Sequence, residues 1–161
     1  MNIDQLIDRS RVAWNDPAAS KKRSLQKAAE LLAQTSPDLD PDAIFDALIG
    51  RERLGSTGLG HGVAIPHGRV PGHEQTAAAF VKLAHGVDFD AADHAPVDLL
   101  FALLVPEHAT EEHLKVLAQI AEMFSDERFV RALRESHDAR QLFDLLTHWR
   151  SARPRVTTNP S

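Results

Sequence analysis

Residues 97–105 read VDLLFALLV, eight apolar side chains and one aspartate in nine positions, closed by Pro106. A run this short is too brief to cross a membrane. It is also too uniformly apolar for a strand with one wet face, so it is expected to be a central β-strand covered on both sides. Working back from it, residues 87–93 and then Pro96 suggest a turn, and residues 76–84 read as the neighbouring strand. Further upstream, residues 20–34 carry Leu25, Ala28, Ala29 and Leu32 on one helical stripe. Residues 36–41, SPDLDP, form a loop in which Asp40 offers an N-cap and Pro41 a first helical position. The helix it opens buries Ile44, Phe45, Leu48 and Ile49 and runs to about Arg53. Near the start, residues 11–14 give a short strand.

Downstream of the central run three helices are expected. Residues 110–125 carry Leu114, Leu117, Ile120, Ala121 and Phe124 at helical spacing, residues 126–135 bury Phe129, Val130 and Leu133, and residues 138–149 bury Leu142, Leu145, Leu146 and Trp149. Helices before and after a strand-rich middle point to an α/β domain, a sheet flanked by helices on both faces. Residues 1–150 are read as this one domain. Residues 151–161, SARPRVTTNPS, have no apolar pattern and are expected to be a disordered tail.

Composition narrows the chemistry. With 161 residues, 43% hydrophobic and 25% charged, the chain is an ordinary globular one. It has no cysteine, which excludes disulfides and thiolate chemistry, and its net charge of −5 argues against nucleic acid as a partner. The N-terminus has no signal-peptide pattern and no apolar run reaches the length of a membrane span, so a cytoplasmic protein with no membrane insertion is expected. Nine histidines against no tyrosine direct attention to imidazole.

The segment with chemical content is residues 51–68, RERLGSTGLGHGVAIPHG. Residues 55–62 hold four glycines, which no packed helix or strand is expected to tolerate. Glycines admit an anion close to backbone N–H groups, Ser56 and Thr57 can add hydroxyl donors, and Pro66 restrains the chain just before His67. Gly68 leaves space beside the imidazole. The nucleotide-binding pattern G-x-x-x-x-G-K-[ST] is absent, and the glycine spacing does not match a dinucleotide fingerprint, which would in addition follow a strand rather than a helix. Spacing alone leaves a plain glycine loop and an anion site both open. His113 lies in the first turn of a helix, four residues before Leu117, and so is expected to face inward. The helix dipole disfavours a charged ring there. Read physically it is either a donor of one N–H to an anion or a core-edge histidine satisfied by backbone.

Residues 55–68, GSTGLGHGVAIPHG, resemble the active-site signature of the enzyme IIA components of the fructose/mannitol class in the bacterial phosphotransferase system. The resemblance covers roughly residues 4–148 and includes PVDLLFALLVPE at 96–107 and the His113-Leu114 pair. Residues 20–32, SKKRSLQKAAELL, look most like the nitrogen-regulatory branch. The resemblance implies the enzyme IIA type 2 fold, a mixed sheet flanked by helices. It further implies phosphorylation of His67 at Nε2, a second active-site histidine at His113, and an arginine at the pocket edge at Arg51. Ser56 and Thr57 would join His113 in binding phosphoryl oxygens. It implies no metal and no organic cofactor. Its partners would be an HPr-like phosphocarrier and regulated proteins such as kinases or ion transporters. The alternative is a sugar-specific component that relays phosphate to a IIB domain.

Other histidines and acids read more plainly. At position 61 the family frequently has asparagine, and this chain has His61; both donate hydrogen bonds. His61, His67 and His73 recur every six residues, a spacing that fits neither i, i+4 on a helix nor i, i+2 on a strand, so they are not read as metal ligands. His85, His94, His108, His137 and His148 read as surface residues, and Asp88, Asp90, Asp93 and Asp98 as turn residues around a hairpin.

Overall fold

The computed structural model describes residues 2–150; the tail expected to be disordered lies outside them. The central run is the strand β6 (Val97–Val105), and the sheet is built on it. On one side β5 (Ala77–Val87) pairs with it antiparallel, with Phe80 opposite Phe101. On the other side β3 (Val63–Ala64) and then β4 (His67–Arg69) pair with it in parallel, one after the other. β1 (Ile7–Asp16) lies parallel outside β5, and β2 (Gly58–Gly60) antiparallel outside β3, giving a six-stranded mixed sheet in the order β1-β5-β6-β3-β2.

Strand alternation divides the core in two. Leu99, Phe101, Leu103 and Val105 of β6, with Ala78 and Phe80 of β5, pack under α4 (Glu111–Ser125), α5 (Glu127–Arg134) and α6 (Ala139–His148). The intervening Leu100, Ala102 and Leu104, with Ala79 and Val81, pack under α2 (Lys21–Ala33) and α3 (Pro41–Glu52). Both sets are fully buried, so the expectation of a strand covered on both faces is met by helices on both faces of the sheet. Phe80, Phe101 and Phe124 form an aromatic cluster with centroids 5.8–6.3 Å apart. No helix among the described residues is long and apolar enough to cross a membrane.

Several expectations need correction. The first strand runs from Ile7 to Asp16, not 11–14, after a single turn α1 (Ile3–Leu6). It is an edge strand in which Ile7 and Val12 are the buried apolar residues, so its outer polar positions hide it. The glycine segment does contain a strand: β2 is three residues at the sheet edge, where Gly58 passes so close to Ala91 that an added Cβ would lie 2.9 Å from that side chain. Leu114 does not join the buried stripe of α4, which is Val116, Ile120, Met123 and Phe124; it is 57% exposed. Asp98 belongs to β6 and pairs with Arg134 at 2.9 Å rather than shaping a turn. The space left by Gly68 is taken by helix α3: a Cβ there would lie 2.9 Å from Ala47 Cβ and 3.0 Å from its carbonyl carbon.

Asp126 caps α5, its carboxylate accepting from the N–H groups of Arg128 and Phe129 and, at 3.1 Å, from the indole of Trp149. The indole bond, assisted by the two backbone donors and opposed by partial burial, holds this carboxyl below its ordinary 3.8.

Two outcomes are expected. Gly68→Ala should lower stability by about 1–3 kcal/mol, because backbone of α3 must move to admit the methyl group; a urea titration measures it. A depressed carboxylate pKa contributes stability that is present above the unfolded value and lost as pH falls through the folded one. Stability followed by Trp149 fluorescence should therefore fall below about pH 4, and Asp126→Asn should flatten that part of the profile.

Candidate functional site

Residues 63–69 run alongside β6 as an interrupted strand. Pro66, which has no N–H, contributes its carbonyl to Leu103 N–H at 2.9 Å, and this contact bridges the gap between β3 and β4. His67 then begins β4 opposite Leu103. Its Nδ1 lies 2.9 Å from the carbonyl of Ile65. A carbonyl oxygen only accepts, so Nδ1 carries the proton and, in the neutral ring, Nε2 carries the lone pair.

His67 is half-buried in the wall of a cavity of about 330 Å³ that α3 and α4 enclose from either side of β4. Across it, His113 occupies the third position of α4, also half-buried. Its Nδ1 accepts the backbone N–H of Thr110 at 3.0 Å, with the Thr110 hydroxyl at 2.9 Å. A backbone N–H only donates, so this ring holds its proton on Nε2. The two readings left open for His113 are compatible: backbone satisfies one nitrogen, and the other carries an N–H on a residue that lines the cavity. The cavity is thus lined by one imidazole with its lone pair on Nε2 and one with its proton on Nε2.

Arg51, at the last turn of α3, lines the same cavity and donates to the carbonyl of Gly55 at 2.7 Å. Arg69 lines it as well, a residue the sequence reading did not single out. Its position was nonetheless legible, two residues after His67 on one strand and hence on the same face. Leu54, 85% exposed, and Leu114 complete an apolar lip. Val63 and Ile65, by contrast, are buried.

Ser56 and Thr57 are not brought to this cavity. The Ser56 hydroxyl donates to the carbonyl of Phe89 at 2.9 Å, and Thr57 is buried, with both its N–H and its hydroxyl donating to the carboxylate of Glu52. Hydroxyl donors in a glycine-rich loop were read as anion ligands, and in the folded chain their donors go to protein acceptors instead.

His61 and Gly62 form the two-residue turn between β2 and β3, with φ of 57° and 82°. Positive φ at both central positions is the type I′ arrangement, which favours asparagine or glycine at the first, so the asparagine frequent in the resembling family has a backbone reason. His61 N–H donates to Asp93 at 2.9 Å, and the His61 carbonyl accepts from Arg134 at 2.5 Å. Among the described residues no three His, Asp or Glu side chains stand together in a way that could hold a metal ion.

Comparison with known proteins places this geometry. The family of the phosphoenolpyruvate-dependent sugar phosphotransferase system, EIIA 2, matches residues 5–149. The chain belongs to this family. Among relatives of this EIIA 2 domain, a nitrogen regulatory protein of Pseudomonas aeruginosa is 46% identical over 146 residues, 91% of this chain and 95% of its own. A fructose-specific EIIA component of the phosphotransferase system in Haloferax volcanii is 33% identical over 135 residues, 84% of this chain and 88% of its own. The crystal structure of nitrogen regulatory protein IIA-Ntr from Neisseria meningitidis superposes with a TM-score of 0.84 at 43% identity, covering 90% of this chain and 99% of that one.

The hydrogen bonds of the EIIA 2 domain predict opposite ring tautomers. At a pH where both rings are neutral, ¹⁵N–¹H correlation spectra should show His67 protonated on Nδ1 and His113 on Nε2. The same tautomer in both rings would contradict this reading of the site.

Proposed function

We propose that this EIIA 2 domain accepts a phosphoryl group on Nε2 of His67 from the phosphohistidine of a small HPr-like carrier, and that its phosphorylation state decides which partner proteins it engages. The observation that carries the reading is the pair of opposed imidazoles across one cavity. The His67 Nε2 lone pair attacks phosphorus, the Nε2–P bond forms as the carrier's N–P bond breaks, and the carrier's imidazole leaves with the electron pair. The His67 proton stays on Nδ1 against the Ile65 carbonyl, so no side-chain base is required. Such transfer demands alignment and neutralisation of the charge spread over the phosphoryl oxygens. His113 Nε2–H and the guanidinium groups of Arg51 and Arg69 are the donors at hand, in place of Ser56 and Thr57.

Regulation follows from where the charge arrives. Phosphorylation adds up to about two negative charges beside the lip formed by Leu54 and Leu114, so a protein seated there meets a different surface in each state. Relatives named nitrogen regulatory protein reach 46% identity, against 33% for the fructose-specific component, which supports the regulatory branch. Kinases and ion transporters are the partner classes this branch implies. The sugar-specific reading, with onward transfer to a IIB domain, is the alternative.

Incubation with enzyme I, an HPr-like carrier and phosphoenolpyruvate should place an acid-labile phosphoryl group on His67, and His67→Ala should take none. His113→Ala should fold and still accept phosphate, but more slowly by roughly two orders of magnitude, the rate equivalent of about 3 kcal/mol for one lost donor to developing charge. Full labelling of His67→Ala would overturn the assignment. Fast onward flow to a IIB cysteine, with no state-dependent protein partner recovered, would establish the sugar-specific alternative.

A further inference from the structure

Outside the cavity, the least expected group in the molecule is Glu52. It closes α3 beside Arg51, yet its side chain is only 2% exposed. Its carboxylate is fully engaged. It accepts the N–H of Thr57 at 3.1–3.2 Å and the Thr57 hydroxyl, and it pairs with Lys21 Nζ at 3.1 Å. Lys21 in turn is held from the far side, by the carbonyl of Phe89 at 3.3 Å, by the Phe89 ring 4.7 Å away and by Asp90 at 3.7 Å. Burying such a pair costs several kcal/mol in desolvation, and an apolar pair of similar volume often packs as well. The ion pair therefore calls for an explanation beyond joining two helices.

The hydrogen bonds supply one. The carbonyl of Thr57 accepts the N–H of Ile65 at 3.1 Å, and the carbonyl of Ile65 is the group that holds His67 Nδ1. From Glu52 to the imidazole there is an unbroken series: carboxylate, Thr57, Ile65, His67. On the other side of Ile65, Pro66 is anchored to Leu103 and restricts the backbone before it. The Ile65 carbonyl is thus fixed from both ends, by Thr57 through Glu52 and by β6 through Pro66.

We infer that Glu52, with Lys21 as its counter-charge, is a positioning residue for His67: through Thr57 it sets the Ile65 carbonyl that keeps the imidazole proton on Nδ1 and the lone pair on Nε2. Neither Glu52 nor Thr57 lines the cavity, so neither touches the transferred group itself. This inference rests on Nε2 of His67 being the phosphoryl acceptor, but its physical core, the tautomer, is measured without any transfer.

The test uses the full chain with Glu52→Gln, which keeps the shape and removes the charge, and Thr57→Val, which leaves the Glu52–Lys21 pair intact and removes the hydroxyl grip. In each variant the expected signature is a mixed tautomer at His67 in ring ¹⁵N spectra, with His113 unchanged as internal reference. Phosphoryl transfer should slow by roughly 10- to 100-fold with no change in the carrier concentration needed for half-maximal rate. Wild-type His67 nitrogen shifts with a transfer rate within twofold of wild type would overturn the inference, even if the melting temperature falls. Should Glu52→Gln fail to fold, Thr57→Val decides by the same two readouts. If wild-type His67 takes no phosphoryl group at all, the phosphocarrier reading fails, while the tautomer comparison still decides the role of Glu52.

Discussion

The edge of β6 that faces β3 and β4 is the row of hydrogen bonds on which the position of His67 depends. Along it Leu99 and Leu100 receive β3, Leu103 receives Pro66, and Leu103 to Val105 receive β4. The interruption at Ile65 and Pro66 has a specific consequence. The register is kept through it, with Val63 opposite Leu99 and His67 opposite Leu103, and the Pro66 carbonyl faces β6, so strand alternation turns the Ile65 carbonyl away from β6, where it meets the imidazole two residues on. The same stretch of chain therefore holds the sheet with one carbonyl, that of Pro66, and orients a ring with the one before it, that of Ile65. β6 itself is packed on both faces and paired on both edges, so this stretch of chain rests on a fixed strand.

The cavity beside His67 is shaped by how closely the two helical layers approach β4. α3 comes in over Gly68, where the absence of a side chain lets Ala47 touch the strand backbone. α4 arrives with its first turn, so His113 reaches the cavity while its own Nδ1 caps the helix through Thr110 N–H. The two histidines meet the same requirement, a ring with one assigned proton, through opposite partners. A carbonyl selects the proton on one Nδ1, and a backbone N–H excludes it from the other. Each selection is made by a group that cannot exchange roles, which keeps the assignment independent of solvent.

Charge is placed with equal economy. Arg51 and Glu52 are neighbours in the chain and serve opposite sides of α3: the arginine turns to the cavity, and the carboxylate turns inward to Lys21 and Thr57. Leu54 and Leu114, left exposed at the lip, give the mouth of the cavity an apolar rim.

Periodicity and composition determined a good deal by themselves. The uniform apolar run at 97–105 implied a strand covered on both faces, apolar stripes located the helices, and the glycine-rich, proline-preceded histidine drew attention to a segment whose role spacing left open, with His67 and His113 singled out by resemblance. These features are local or repetitive, so they survive as patterns in one dimension. Where the side-chain donors of Ser56 and Thr57 would point was decided only by tertiary structure, because their acceptors, Phe89 and Glu52, are placed by packing of α2, α3 and the β5–β6 connection. Glu52, next to Arg51 at the end of a helix, has nothing in the pattern around it that tells it is buried. Leu114 occupies an apolar position beside the α4 stripe and was counted as core, yet it lies where α4 turns from the sheet toward the cavity. The tautomers of His67 and His113 belong to the same class. Each depends on which backbone atom stands about 3 Å from a ring nitrogen, a distance set by how the chain crosses β6 and how α4 begins, and no residue type specifies it alone.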